Sequence, residues 1–169
     1  ITIVSRVYTT TNVTVEEKVS WQVNGNNVSY FNSPLGVVTP LVANLNIVDN
    51  SNNYNAGPPS YFNAPFDGFY EVTLSDFFWQ WGSPVASNKN FDLVIYVENA
   101  GGSIVLQQQV TAFLQFPFSQ VFFDPLFTTG TISKTLYVET GQKIFVGVIV
   151  PNAPMNSFRL LSGTINGSL

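Results

Sequence analysis

No window of this chain repeats apolar residues at the three-and-four spacing of an amphipathic helix, whereas short alternating runs bounded by Gly, Pro, Asn and Asp recur throughout. Residues 1–15, rich in Thr, Val and Ile, read as a β-arm. Trp21–Val23 and Val28–Phe31 flank Asn24-Gly25-Asn26-Asn27, and Asn-Gly between alternating runs predicts a tight hairpin. Residues 32–40 read as a connection, Val42–Val48 as a strand, and Asp49–Pro59 as a polar loop. Strands are then predicted at Tyr61-Phe62, Phe69–Trp79, Phe91–Glu98, Ser103–Val110, Thr131–Glu139, Lys143–Val150 and Phe158–Ile165. The turns between them are Pro65–Gly68, Asn99–Gly102 and Thr140–Gln142. Such a succession predicts an all-β antiparallel sandwich or barrel.

The faces of these strands matter more than their number. In Phe69–Leu74, Tyr70, Val72 and Leu74 point one way and Phe69, Glu71 and Thr73 the other. In Phe91–Glu98 the face with Leu93, Ile95 and Val97 is the core side, and the face with Asp92, Val94, Tyr96 and Glu98 is read as wetter. In Lys143–Val150 both faces are apolar: Ile144, Val146, Val148 and Val150 oppose Phe145, Gly147 and Ile149. A two-layer sandwich hides one face internally, so the second needs a cover. That cover is either the chain's own arm or Phe-rich loop, or a further copy of the chain.

Composition narrows the function. Charged residues make up only 9 % of the 169, and the six basic ones are scattered singly in a chain of net charge −4. Binding to nucleic acid or to anionic membranes needs several cations on one face, so neither is expected. The absence of Cys and His removes disulfides, thiol chemistry and the commonest general base and metal ligand. No apolar run is long enough for a bilayer-spanning helix, so no membrane insertion is expected. The chain opens on ITIVSRVYTT without a Met, and is read as a processed or trimmed piece of a longer protein.

Several spaced segments together resemble a known family. PLVANLNIVDNSNNYNAGPPSYFNAPFDGFYEVTLS resembles the signature of the complement C-one-q globular head and tumour necrosis factor family, above all in Phe62-Asn63-Ala64-Pro65-Phe66-Asp67-Gly68-Phe69-Tyr70. Asp92–Glu98 with Gly101-Gly102, Leu136–Val146 and Phe158–Ile165 resemble its later strands in order. Gln142 stands where the family usually has Asp, the cysteines of many vertebrate members are missing, and 1–34 and 113–127 depart from the usual lengths.

The resemblance implies an all-β, antiparallel, C1q/TNF-like jelly-roll sandwich of about ten strands. The head would span 35–169 behind a 1–34 arm or hairpin, and would form a homotrimer with one sheet facing the threefold axis. The residues expected at that interface are Phe69, Glu71, Tyr137, Phe145, Ile149 and Phe158. Heads of this kind sit on fibrous stalks of secreted proteins or on virus and phage surfaces, and bind receptors or glycans. An Asn-rich, Cys-free chain fits a viral spike or fibre head.

Candidate chemistry is thin. Asp76 with Asp92, or Glu71 with Asp124, would be carboxylate pairs for glycoside hydrolysis, but nothing singles either out. Ser162 has no His to activate it. Tyr54, Tyr61, Trp79 and Trp81 are aromatics that could stack on a sugar, though strand-end aromatics more often pack the rim. Asp49-x-Ser51-x-Asn53 opens like a calcium loop, with Tyr54 and Tyr61 where its glycine and final acid belong, so no cofactor is expected and calcium alone stays open. Phe113, Phe116, Phe118, Phe122, Phe123 and Phe127 form either a structural insert or an aromatic binding spot. Asn12, Asn27 and Asn166 head N-x-[ST] sequons, near the frequency chance supplies in an Asn-rich chain.

The expected function is a non-enzymatic trimeric head for surface attachment or ligand binding, extracellular or on a virion. A capsid or shell jelly roll whose role is assembly is the alternative, and a carbohydrate-active sandwich a third.

Overall fold

The computed structural model describes residues 19–26, 31–34, 36–81, 91–112, 126–129, 131–149 and 155–169. The regular elements among these residues are all strands: β1 (Ser20–Asn26), β2 (Phe31–Ser33), β3 (Thr39–Pro40), β4 (Ala43–Asp49), β5 (Tyr54–Asn55), β6 (Tyr61–Asn63), β7 (Gly68–Trp81), β8 (Phe91–Glu98), β9 (Ile104–Ala112), β10 (Leu126–Thr129), β11 (Ile132–Val138), β12 (Lys143–Ile149) and β13 (Met155–Ser168). They form two antiparallel sheets. The first runs β10-β7-β13-β1-β4, with β11 also on β7 and β2 on β13. The second runs β5-β6-β12-β8-β9, with β3 on β12.

Alternation places the core between the sheets. Tyr70, Val72 and Leu74 of β7 point inward as expected, with Trp21, Val23, Leu136 and Val138 beside them. The second sheet answers with Phe62, Leu93, Ile95, Val97, Ile144, Val146 and Val148. Trp21 lies flat on Phe62, with ring centroids 3.7 Å apart and 6° between planes. The Tyr70 hydroxyl donates to the Phe66 carbonyl at 2.8 Å, so its ring is buried without stranding a polar atom. Trp21 fits because its β13 partner is Gly167, where a Cβ would run into the indole.

Two irregularities shift the pattern. In β7, Asp76 sits at φ 55° within a register shift against β13, and the inward parity moves from Leu74 to Phe77. In β4, Gln22 pairs with Val48 and Asn24 with Leu45, so β4 carries one extra residue across a step where Asn46 takes φ 48°.

Three expectations are corrected. Asn24-Gly25 makes no turn: both lie inside β1, opposite Thr164 and Gly163 of β13. β1 falls within the segment read as an arm, yet it is an inner strand between β13 and β4. The face of β8 read as wetter is buried, at 3 % exposure for Asp92, 0 % for Val94 and 3 % for Tyr96.

The second apolar face of β12 is also hidden within the chain. Phe145 stacks on Tyr96 at 4.9 Å, Tyr61 packs on Phe145 at 5.3 Å, and Val38 covers the cluster with Ile149. Gly147 makes this possible. It lies between Phe145 and Ile149 on that face, opposite Pro40 of β3, and a Cβ there would stand 2.9 Å from the Thr39 carbonyl and 3.0 Å from Val38. The crossing segment therefore lies against bare backbone.

Candidate functional site

Directly opposed residues in antiparallel strands share a face, so the pairings map the outer surface of the first sheet. Tyr137 of β11 faces Phe69 of β7. The next row is Thr135, Glu71, Ser168 and Ser20, and the one after is Ser133, Thr73, Asn166, Gln22 and Val48. Thr164, Asn24 and Leu45 continue it. Glu71 is the one ionisable group in these rows apart from Tyr137.

Apolar groups lie at two opposite edges of this face. At one, Phe69 is 69 % exposed and Tyr137 51 % exposed, and the two rings meet edge-to-face at 5.3 Å. At the other, the β4 irregularity brings both Leu45 and Val48 outward, and Ile47 is exposed too. Between them lies a polar floor. Thr73 Oγ1 donates to Ser133 Oγ at 3.0 Å, and that hydroxyl donates to Glu71 Oε1 at 2.7 Å. An open groove of about 370 Å³ crosses the floor, lined by Gln22, Val48, Glu71, Thr73, Asn166 and Ser168 among others.

The two turns that carried the family resemblance meet at one end of the sandwich. Asp67 Oδ1 accepts from the backbone N–H of Thr140 at 2.6 Å and from its hydroxyl at 2.7 Å, and these bonds hold the carboxyl below the usual carboxylate range. Gly141 N–H donates to the Ala64 carbonyl, Ala64 N–H to the Gln142 carbonyl, and Gly141 takes φ 81°. Gln142, the departure from the family's Asp, uses its amide both ways. Oε1 accepts from Glu139 N–H, and Nε2 donates to the Glu139 carboxylate, each at 3.0 Å. This network fixes the start of β7, and with it Phe69.

The expected interface residues separate into two sheets. Phe69, Glu71 and Tyr137 share the exposed outer face of the first. Phe145 and Ile149 belong to the second and are covered by Val38 and Tyr61 of the same chain, which corrects their assignment to an intersubunit face. Phe158 pairs with Trp81 through the backbone, and the side chains of Phe158, Trp79 and Trp81 lie outside the described residues. Leu45, Ile47 and Val48 were not expected in the patch. Their signal was present in the sequence as apolar residues that break strict alternation.

The expected sugar-stacking tyrosines have other partners. The Tyr54 hydroxyl donates to the Ala43 carbonyl at 2.8 Å, and burial pushes its pKa up to about 12. Tyr61 packs on Phe145, accepts a hydrogen bond from Asn55 Nδ2 at 2.9 Å, and lies under Lys143 Nζ, 4.8 Å from its ring centre. Asp49 is likewise occupied. Its oxygens accept from the N–H groups of Ser51, Asn53 and Tyr54 and from the Ser51 hydroxyl, all within 3.0 Å. Donors converge on this carboxylate where a calcium loop would bring further oxygens. No group of three His, Cys, Asp or Glu suited to a metal occurs among the described residues. Asp76 and Asp92 lie on different sheets, one exposed and one buried, while Asp124 and the phenylalanines at 113–123 lie outside the described residues.

No family model matches the sequence, and no curated protein matches it. Solved structures do. The globular domain of zebrafish complement 1qA protein superposes with a TM-score of 0.60 at 16 % identity, covering 90 % of this chain and 97 % of its own. Eiger TNF from S. frugiperda superposes with a TM-score of 0.53 at 12 % identity, covering 90 % and 92 %. With two antiparallel sheets closed on one aromatic core and matched along nearly its whole length by these two structures, the chain has the C1q/TNF-like jelly-roll fold.

Proposed function

We propose that this chain is a non-enzymatic head domain that assembles as a homotrimer, outside the cell or on a virion, and presents its loops to a receptor or glycan. The observation that carries the reading is the Phe69–Tyr137 pair: two large aromatic side chains in mutual contact, each more than half exposed, beside rows of side chains in which Glu71 is the one carboxylate. Exposed aromatics on a charge-poor surface are the composition of an interface centre. The apolar edge of β4 lies across the same sheet. A contact between two unlike patches is heterologous, and it repeats from copy to copy until a ring closes. Three copies is the number that the resemblance to the complement and tumour necrosis factor heads implies.

Light scattering on the purified chain at low micromolar concentration tests this. A particle of three times the 18.6 kDa chain mass supports it. A stable monomer at that concentration would sink it. A glycan array probed with the assembled protein then tests the ligand class.

A further inference from the structure

We infer that Lys143 and Asn63 are the partners of a side-chain amide (isopeptide) bond, formed with Glu98 as proton acceptor, that staples β6 to β12. The strand register puts the three residues in one row. Lys143 of β12 lies directly opposite Asn63 of β6 on one side and Glu98 of β8 on the other. Their chain neighbours Ile144, Phe62 and Val97 are in the core, so all three side chains point to the outer face of the second sheet. Directly opposed Cβ atoms in an antiparallel pair stand about 4.5–5.5 Å apart, a gap that a lysine joined to an asparagine Cγ spans with ease.

The surroundings suit the reaction. The next row on this face is aromatic, with Tyr61, Phe145 and Tyr96 in contact at 5.3 and 4.9 Å. It walls one side of the row, in which Asn63, Lys143 and Glu98 are each half-buried. Lys143 Nζ leans toward β6, 4.8 Å from the ring centre of Tyr61, which shares its face with Asn63 two residues on. A sheet that fixes amine and amide side by side turns a slow encounter into an intramolecular reaction. Glu98 takes a proton from the ammonium and frees the Nζ lone pair, which attacks Asn63 Cγ. The new Nζ–Cγ bond replaces the bond from Cγ to the amide nitrogen. Both protons that Nζ sheds leave with that nitrogen as ammonium, and Glu98 ends as the carboxylate it began as. The staple also answers a need of the fold. β6 meets β12 through two residue pairs alone, and the chain has no Cys for a disulfide. Joining residues 63 and 143 constrains the unfolded chain as a disulfide closing a long loop does.

Intact-mass spectrometry of the full chain tests this whatever its assembly state. Wild type should be lighter than its sequence by one ammonia, and digestion should yield a branched peptide that carries both Asn63 and Lys143. Lys143→Arg, Asn63→Ala and Glu98→Gln should each restore the full sequence mass. The last of these keeps both bonding partners and removes only the proton acceptor. Succinimide formation at Asn24-Gly25 or Asn166-Gly167 also expels ammonia, but that loss would persist in all three variants and give no branched peptide. Folded wild type at its full sequence mass, or a mass deficit that survives Lys143→Arg, would overturn the inference.

Discussion

Single side chains decide whether the two sheets close. Trp21 spans the layer between them, and a Cβ opposite it at Gly167 would meet its ring. Trp21→Ala should lower unfolding stability by about 3–5 kcal/mol in urea titrations, the cost of a large cavity in a rigid core. A loss under 1 kcal/mol would mean that the Trp21–Phe62 stack is peripheral. Asp49 makes a second prediction. Burial pushes its pKa up, but the hydrogen bonds from Ser51, Tyr54 and Asn53 outweigh this and lower it. Because the folded pKa lies below the unfolded one, the stabilisation is complete above about pH 4 and lost as pH falls through the folded value. Asp49→Asn should lower stability at neutral pH and flatten the acid limb of the stability curve. An unchanged acid limb would show that other carboxylates govern it.

Elements were legible where alternation was simple, and misread where another element intervened. The strands at β6, β7, β8, β11 and β12 lie where periodicity predicted, with Tyr70, Val72 and Leu74 on the predicted side, because each has one face on a single core. Asn24-Gly25 misled because the same dipeptide serves inside a strand when a large side chain needs room: a Cβ at Gly25 would run into Leu160. The second face of β12 was rightly seen as apolar. Its cover was invisible, since pairing between residues 39–40 and 147–148 is long-range and β3 is only two residues long. Gly147 is the element-scale test. Gly147→Val should push β3 off the sheet, cost about 1–3 kcal/mol as overpacking does, and raise hydrogen exchange at the Leu41 amide, now bonded to the Val146 carbonyl at 2.8 Å. Unaltered exchange there would mean the strap is held by something other than this close approach.

For the whole molecule, the two aromatic groups that the sequence could not tell apart now make opposite predictions. Phe69 and Phe145 both stood on the non-core side of their strands, yet one is 69 % exposed and the other 3 % exposed. A charge at Phe145 would be buried among Tyr96, Tyr61 and Ile149, so Phe145→Asp should lower the unfolding midpoint of the subunit itself. A charge at Phe69 is free in the isolated subunit and buried only where copies meet. Phe69→Asp combined with Tyr137→Asp should therefore leave the unfolding of the dilute subunit within about 0.5 kcal/mol, as surface changes do. The same pair should weaken each subunit contact by about 2 kcal/mol or more, roughly thirtyfold. Every closed ring contains that contact once per subunit, so the loss compounds and monomer should dominate at low micromolar concentration. If the double variant keeps the wild-type mass while Phe145→Asp dissociates without unfolding, the second sheet rather than the first meets its neighbours. The cover of Val38 and Tyr61 would then have to lift on assembly.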